Sequence, residues 1–184
     1  MKNNIPSRLE MKSSKKIYVQ LLALLFAATV LFPACRGGYS FTGTSISPDV
    51  KTIRIDYFQN MAPTVMPTLS NTFTEALTTK FRRQTKLEFV NDGSDLYFEG
   101  EITGYDVVSK AVQANEMAAL NTLKITVKVR FTNAIDEEQS YDQSFSAEAD
   151  FSAVQSLDEV QDRLVVEIVD ILVENIFNTA VANW

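Results

Sequence analysis

Between Thr122 and Thr132 the sequence alternates without a break. Leu123, Ile125, Val127, Val129 and Phe131 are apolar, and Lys124, Thr126, Lys128 and Arg130 between them are polar. Successive side chains of a strand point to opposite faces, so this run dictates a strand with one wet face and one face that must be covered. Two neighbouring stretches repeat the pattern. Asp95–Asp106 sets Leu96, Phe98 and Ile102 on one side, with Gly100 and Gly104 in the same register, and Tyr97, Glu99, Glu101 and Thr103 on the other. Two glycines on an inner face predict close approach of a helix, or a bulge. Tyr141–Phe151 turns Tyr141, Gln143, Phe145, Ala147 and Ala149 inward and Asp142, Ser144, Glu148 and Asp150 outward. Val107–Asn121, rich in Ala, reads as a long loop of the functional or mobile kind, and Asn133–Ser140 as an acidic turn.

The apolar face of that meander needs a cover, and two helices supply it. Thr68–Thr85 carries Leu69, Phe73, Ala76, Leu77 and Phe81 on one helical stripe, with Pro67 suited to its first turn. Ser156-Leu157-Asp158-Glu159 is a capping box opening a helix that runs to about Ala182. The apolar arc of this second helix is wider than one sheet face can cover. Thr52–Phe58 reads as a further strand, with Ile53, Ile55 and Tyr57 on its apolar face, and Leu87–Val90 as a short one. The expectation is an α+β fold: a two-layer sandwich, two helices packed on one face of a mixed, mostly antiparallel sheet of about four to five strands.

The beginning of the chain reads as an address. Lys2, Arg8, Lys12, Lys15 and Lys16 precede an uncharged, almost wholly apolar run, Leu21–Phe32, and Pro33, Ala34 and Cys35 close it. That is the layout of an export signal, and the run is short for a membrane-spanning helix, which needs about 20 residues. Met11 precedes a signal of more usual length and is the expected start. Phe32-Pro33-Ala34-Cys35 resembles the lipobox of bacterial lipoproteins, with Phe32 where Leu is usual. The resemblance implies that Cys35 is acylated and becomes the first mature residue. The expected organisation is a lipoprotein signal peptide over 1–34, a lipidated tether over 35–50 and one domain over 51–184. Arg36-Gly37-Gly38 follows Cys35 with no acidic run, which favours a periplasm-facing protein.

Composition then closes most of the functional menu. There is no His and a single Cys, so Ser-His-Asp and Cys-His catalysis and His- or Cys-based zinc sites are excluded. Removing residues 1–34 takes away five of the 17 basic residues and one of the 23 acidic ones; 12 against 22 remain, a formal charge of −10. An acidic domain argues against nucleic acid as a partner. No phosphate-loop or dinucleotide fingerprint is present, and no cofactor is expected.

Lys124, Lys128 and Arg130 are the candidate site. Two and four residues apart on one strand face, they project together. They can form a docking stripe for phosphate-bearing or acidic groups, or a cross-strand ladder with Glu99 and Glu101, or with Glu148 and Asp150. Lys80, Arg82, Arg83 and Lys86 form a second basic cluster, read either as cations favouring a helix dipole or as an anion-binding patch. The carboxylate pair Glu99/Glu101 faces outward, without the burial that a general acid needs.

Taken together, the pieces resemble the lipopolysaccharide-assembly lipoprotein family, LptE, in its Bacteroidetes-like form. They are Cys35 after a signal, Gly38-Tyr39-Ser40-Phe41, Thr52–Asn60, the helix Pro67–Phe81, the strand Leu96–Tyr105, the basic strand Leu123–Phe131 and the long last helix. The resemblance implies a non-catalytic outer-membrane lipoprotein that plugs the LptD β-barrel and assists its assembly, so that lipopolysaccharide reaches the outer leaflet. The implied partners are that barrel, lipopolysaccharide and the membrane itself. The wide apolar arc of the last helix and the Val107–Asn121 loop are the expected contact surfaces, unless the arc is buried within its own domain. The alternatives are a periplasmic carrier of a lipid or apolar ligand, which predicts a cavity under Gly100 and Gly104, and an accessory lipoprotein of another envelope machine.

Overall fold

The computed structural model describes residues 46–64, 66–110 and 119–181. Its elements are β1 (Thr52–Ile55), β2 (Gln59–Asn60), α1 (Leu69–Gln84), β3 (Glu88–Phe89), β4 (Leu96–Lys110), β5 (Leu120–Asn133), a short 3-10 turn (Glu137–Gln139), β6 (Tyr141–Ser152) and α2 (Leu157–Val181). The sheet order is β3-β1-β4-β5-β6, and β2 pairs with β4. The three long strands are antiparallel, whereas β1, β2 and β3 join in parallel. Both helices pack on the apolar side, so the fold is the expected α+β sandwich. Its sheet has six strands because the two-residue β2 adds one.

Alternation builds the core. Leu123, Ile125, Val127, Val129 and Phe131 of β5 are all within 1 % of full burial. The i, i+4 row Leu69, Phe73, Leu77 and Phe81 adds four fully buried side chains of α1 to the same core. Aromatic rings carry the packing from helix to sheet: Phe81 lies 5.0 Å from Phe98 and 4.9 Å from Phe177, and Phe98 lies 4.7 Å from Phe131. The capping box of α2 is seen in the Glu159 carboxylate, which accepts from the Ser156 N–H at 3.2 Å. The arc of α2 is taken up within the domain. Eleven of its residues, from Val160 to Val181, are buried where it meets α1 and the sheet, leaving Val166 and Ile171 as its exposed apolar side chains.

Three local readings change. First, a bulge interrupts β4 between Ile102, opposite Val127, and Gly104, opposite Thr126. The extra residue reverses the parity of the strand. Tyr105, only 4 % exposed, takes the core side, and Gly104 moves to the outer face. Second, β1 ends at Ile55, so Tyr57 is exposed and Phe58 fully buried. The Phe58 N–H donates to Thr74 Oγ1 on α1 at 3.1 Å, and its ring stands 5.1 Å from that of Phe73. Third, Val107–Lys110 and Leu120–Asn121, the ends of the expected loop, are paired strand. Residues 111–118 lie outside the described residues.

Gly100 explains the placement of Phe58. A Cβ there would lie 2.1 Å from the Lys128 carbonyl oxygen and 2.6 Å from Phe58 Cε1. The close approach expected of a helix is therefore that of an aromatic ring and the neighbouring strand. The start of the sheet is clasped by Asp95, whose carboxylate accepts from the N–H groups of Lys51 and Thr52 at 2.8 and 2.9 Å. Its own N–H donates to Thr52 Oγ1 at 2.8 Å.

Candidate functional site

The outer face of the sheet carries the three candidate cations. Lys124, Lys128 and Arg130 are exposed on β5, whose core-facing neighbours hold their backbone in register. At the strand rise, Lys128 and Arg130 lie about 7 Å apart along the chain and Lys124 about 13 Å from Lys128. Register sets each opposite at least one acidic neighbour. Arg130 is opposite Glu99 and Asp142, Lys128 opposite Glu101 and Ser144, and Lys124 opposite Asp106 and Glu148.

Side-chain geometry turns part of that register into a ladder. Arg130 Nη1 donates to Glu99 Oε1 at 3.0 Å, and its Nη2 to Asp142 Oδ2 at 3.2 Å. Lys128 Nζ stands 3.6 Å from the other oxygen of Asp142. These groups, with Gly100 and Glu101, line a shallow groove of about 300 Å³. The two carboxylates beside Arg130 hold its proton more firmly than usual. Glu99 and Glu101 are on the open face, and Glu99 is engaged by Arg130.

The ladder extends through residues that sequence reading does not single out. Arg54 Nε and Nη2 donate to the two oxygens of Asp56 at 2.7 and 3.1 Å, and the guanidinium lies 4.9 Å over the Tyr97 ring. Tyr97 Oη donates to Asp56 Oδ2 at 2.5 Å and sits 3.3 Å from Glu99 Oε2. Hydrogen bonding to Asp56, then burial, pushes the Tyr97 phenol up to about 12, whereas the Arg54 hydrogen bond holds the Asp56 carboxyl below its ordinary range. Polar contacts therefore run from β1 through β4 and β5 to β6. Finding them requires knowing that β1 lies beside β4, with Arg54 level with Tyr97.

The second basic cluster disperses. Lys80 is ion-paired with Glu174 of α2 and lies 5.1 Å over the Phe177 ring. Arg82 stands 4.9 Å over Phe89. Arg83 faces the groove between the helices, and Lys86 another groove, beside Lys51. Cys35, the leader over 1–34 and the tether as far as residue 45 lie outside the described residues. No helix among the described residues is long and apolar enough to cross a membrane.

Several solved structures align with the chain. A hypothetical protein, CT253, from Chlamydia trachomatis shares the fold at 8 % identity and a TM-score of 0.50, over 73 % of this chain and 99 % of that one. A minor lipoprotein from Acinetobacter baumannii aligns at 14 % identity and a TM-score of 0.46, over 73 % and 95 %. An uncharacterized lipoprotein B from Nitrosomonas europaea aligns at 14 % and 0.45, over 73 % and 85 %. No curated protein matches the sequence. The lipopolysaccharide-assembly family LptE matches residues 50–180, from just before β1 to the last turn of α2. The chain, with its two helices on one side of a mixed sheet and its ion-paired outer face, belongs to the LptE lipopolysaccharide-assembly family.

Proposed function

We propose that the chain is a non-catalytic lipoprotein, held in the outer membrane through acylated Cys35 and facing the periplasm. Its domain acts as plug and assembly partner of an LptD-type β-barrel that delivers lipopolysaccharide to the outer leaflet. Lys124, Lys128 and Arg130 form the contact for the phosphate groups of lipopolysaccharide. The observation that carries this reading is the extent of the family match, which takes in the whole two-layer domain rather than a fragment. The outer face adds a physical reason. Its cations are exposed, ordered along one strand and paired only at the surface, so a multivalent phosphate can compete for them.

The carrier reading loses its cavity. The space beneath Gly100 is occupied by Phe58, and Gly104 faces outward. Affinity purification of the tagged, membrane-extracted protein, followed by mass spectrometry, tests the main reading. A large outer-membrane barrel recovered in stoichiometric amount is the expected result; recovery of the lipoprotein alone, with unmodified Cys35, refutes it. Lys124→Glu with Lys128→Glu should weaken lipopolysaccharide binding while leaving the fold intact, and unchanged binding would return the stripe to a purely structural ladder.

A further inference from the structure

Strand β6 closes one side of the sheet. It pairs with β5 from Tyr141 to Ser152 without a register shift, and among the described residues no strand lies beyond it. Half of the N–H and C=O groups of such a strand point away from its neighbour, and proteins usually guard them with lysine, proline or a bulge. β6 carries none of these guards over its 12 residues. Its inner row is also incompletely closed. Phe145, Ala147 and Ala149 keep 9, 8 and 6 % exposure, whereas Val127, Ile125 and Leu123 opposite them keep none. α2 lies over that row and β5 beside it, so the remaining opening is on the free flank.

The outer face says what fits there. Its charges change sign from strand to strand: Glu99, Glu101 and Asp106 on β4, Lys124, Lys128 and Arg130 on β5, Asp142, Glu148 and Asp150 on β6. Lys124 and Arg130 have an acidic residue opposite on both flanks, whereas the β6 acids face a strand on the β5 flank alone. Opposite charges on facing strands favour pairing, and like charges oppose it. A second copy of β6 would set one acidic row against another, so the complement is a basic strand. We infer that β6 takes up an extended segment of the barrel protein, with Lys or Arg at alternate positions, as a further strand of the sheet. The inference rests on the plug reading. The wall strands of a closed barrel have their edges paired with one another, so the segment is a loop or terminus that reaches the lumen.

The test purifies the barrel complex from cells making the full-length lipoprotein with a photocrosslinking amino acid in place of Ser144 or Ser146, both exposed on β6. Irradiation should join it to one barrel segment outside the wall strands, and mass spectrometry of the joined peptides should find Lys or Arg at alternate positions there. Ser144→Lys with Ser146→Lys places cations along the open edge and should lower recovery of the barrel about tenfold, with the lipoprotein's thermal transition unchanged. Ser144→Asp with Ser146→Asp should keep recovery at the parent level, and equal loss with both pairs overturns the basic character of the segment. An intact complex whose crosslinks fall on wall strands, on a second copy or nowhere overturns the strand addition and leaves the plug standing, as does a Lys pair that recovers the barrel as the parent does. A lipoprotein recovered without any barrel overturns the plug and the added strand together.

Discussion

Gly100→Ala tests the tightest contact in the fold. The added methyl would sit 2.1 Å from the Lys128 carbonyl oxygen and 2.6 Å from Phe58 Cε1, where real Cβ atoms keep at least 3.0 Å. The shortfall toward the carbonyl is 0.9 Å, and no rotamer change relieves it, because the obstacle is backbone. Strands β4 and β5 must part locally, which breaks one or two ladder hydrogen bonds at about 1 kcal/mol each. Overpacking against the ring adds about 1–3 kcal/mol. The expected loss is therefore about 2–5 kcal/mol, or roughly 10 °C in the thermal midpoint of a domain of this size. Urea and thermal unfolding followed by circular dichroism measure it. Gly104→Ala is the matched control. Its Cβ would meet Asp106 Oδ2 and Thr126 at 3.2 Å on the open face, where side chains can move, so it should cost less than about 1 kcal/mol. Combining Gly100→Ala with Phe58→Leu should recover under half of the loss, since the ring is only the second obstacle. A Gly100→Ala protein within about 0.5 kcal/mol of the parent would refute the close approach.

Tyr141 has a buried hydroxyl with no hydrogen-bond partner among the described residues, and burial pushes its ionisation above the ordinary tyrosine range. Tyr141→Phe should be neutral or stabilising by up to about 1 kcal/mol in chemical unfolding, and a comparable loss would show that the hydroxyl is satisfied. Asp95→Asn should cost about 1 kcal/mol at neutral pH, because the charge that strengthens two backbone hydrogen bonds is lost. Those bonds lower the Asp95 pKa, so the stability is present above the unfolded carboxylate value near pH 4 and disappears as pH falls through the lower folded value. The gap between parent and variant should close on acidification, and a gap that widens contradicts the assignment. Asp142→Asn should raise lipopolysaccharide affinity about two- to fivefold in a binding titration, by releasing Lys128 and Arg130 from a competing carboxylate. Unchanged or weaker binding refutes the docking stripe.

Strand β5 was legible because its period runs unbroken and its partners lie on both sides. Helix α1 was legible for the same reason, through Leu69, Phe73, Leu77 and Phe81. β4 was legible only as far as Ile102. The bulge changes its parity, so a pattern read in steps of two puts Gly104 on the wrong face and loses the strand before Lys110. Tyr57 failed for a related reason. The period of β1 ends when Phe58 turns to fill the space over Gly100, a demand imposed by a residue 42 positions away. At the site, Lys124, Lys128 and Arg130 follow from one strand, whereas Arg54, Asp56 and Tyr97 meet only through parallel pairing that no local pattern encodes.

The ladder and the docking stripe are compatible because of where the ion pairs lie. The Arg130 side chain is 56 % exposed, and its partners Glu99 and Asp142 are 37 % and 39 % exposed. Surface pairs of this kind contribute about 0–1 kcal/mol each, since water already solvates both charges. A phosphate offers more charge and more acceptor oxygens than one carboxylate, so exchanging partners costs the domain little while the core keeps the strand in place. Buried pairs would behave otherwise. Removing a partner would then leave an uncompensated charge and cost several kcal/mol. The outer face thus holds its cations extended and ordered without holding them tightly. A structural ladder that merely prevents repulsion would gain nothing from losing Asp142, whereas a face awaiting an anionic ligand should bind it better.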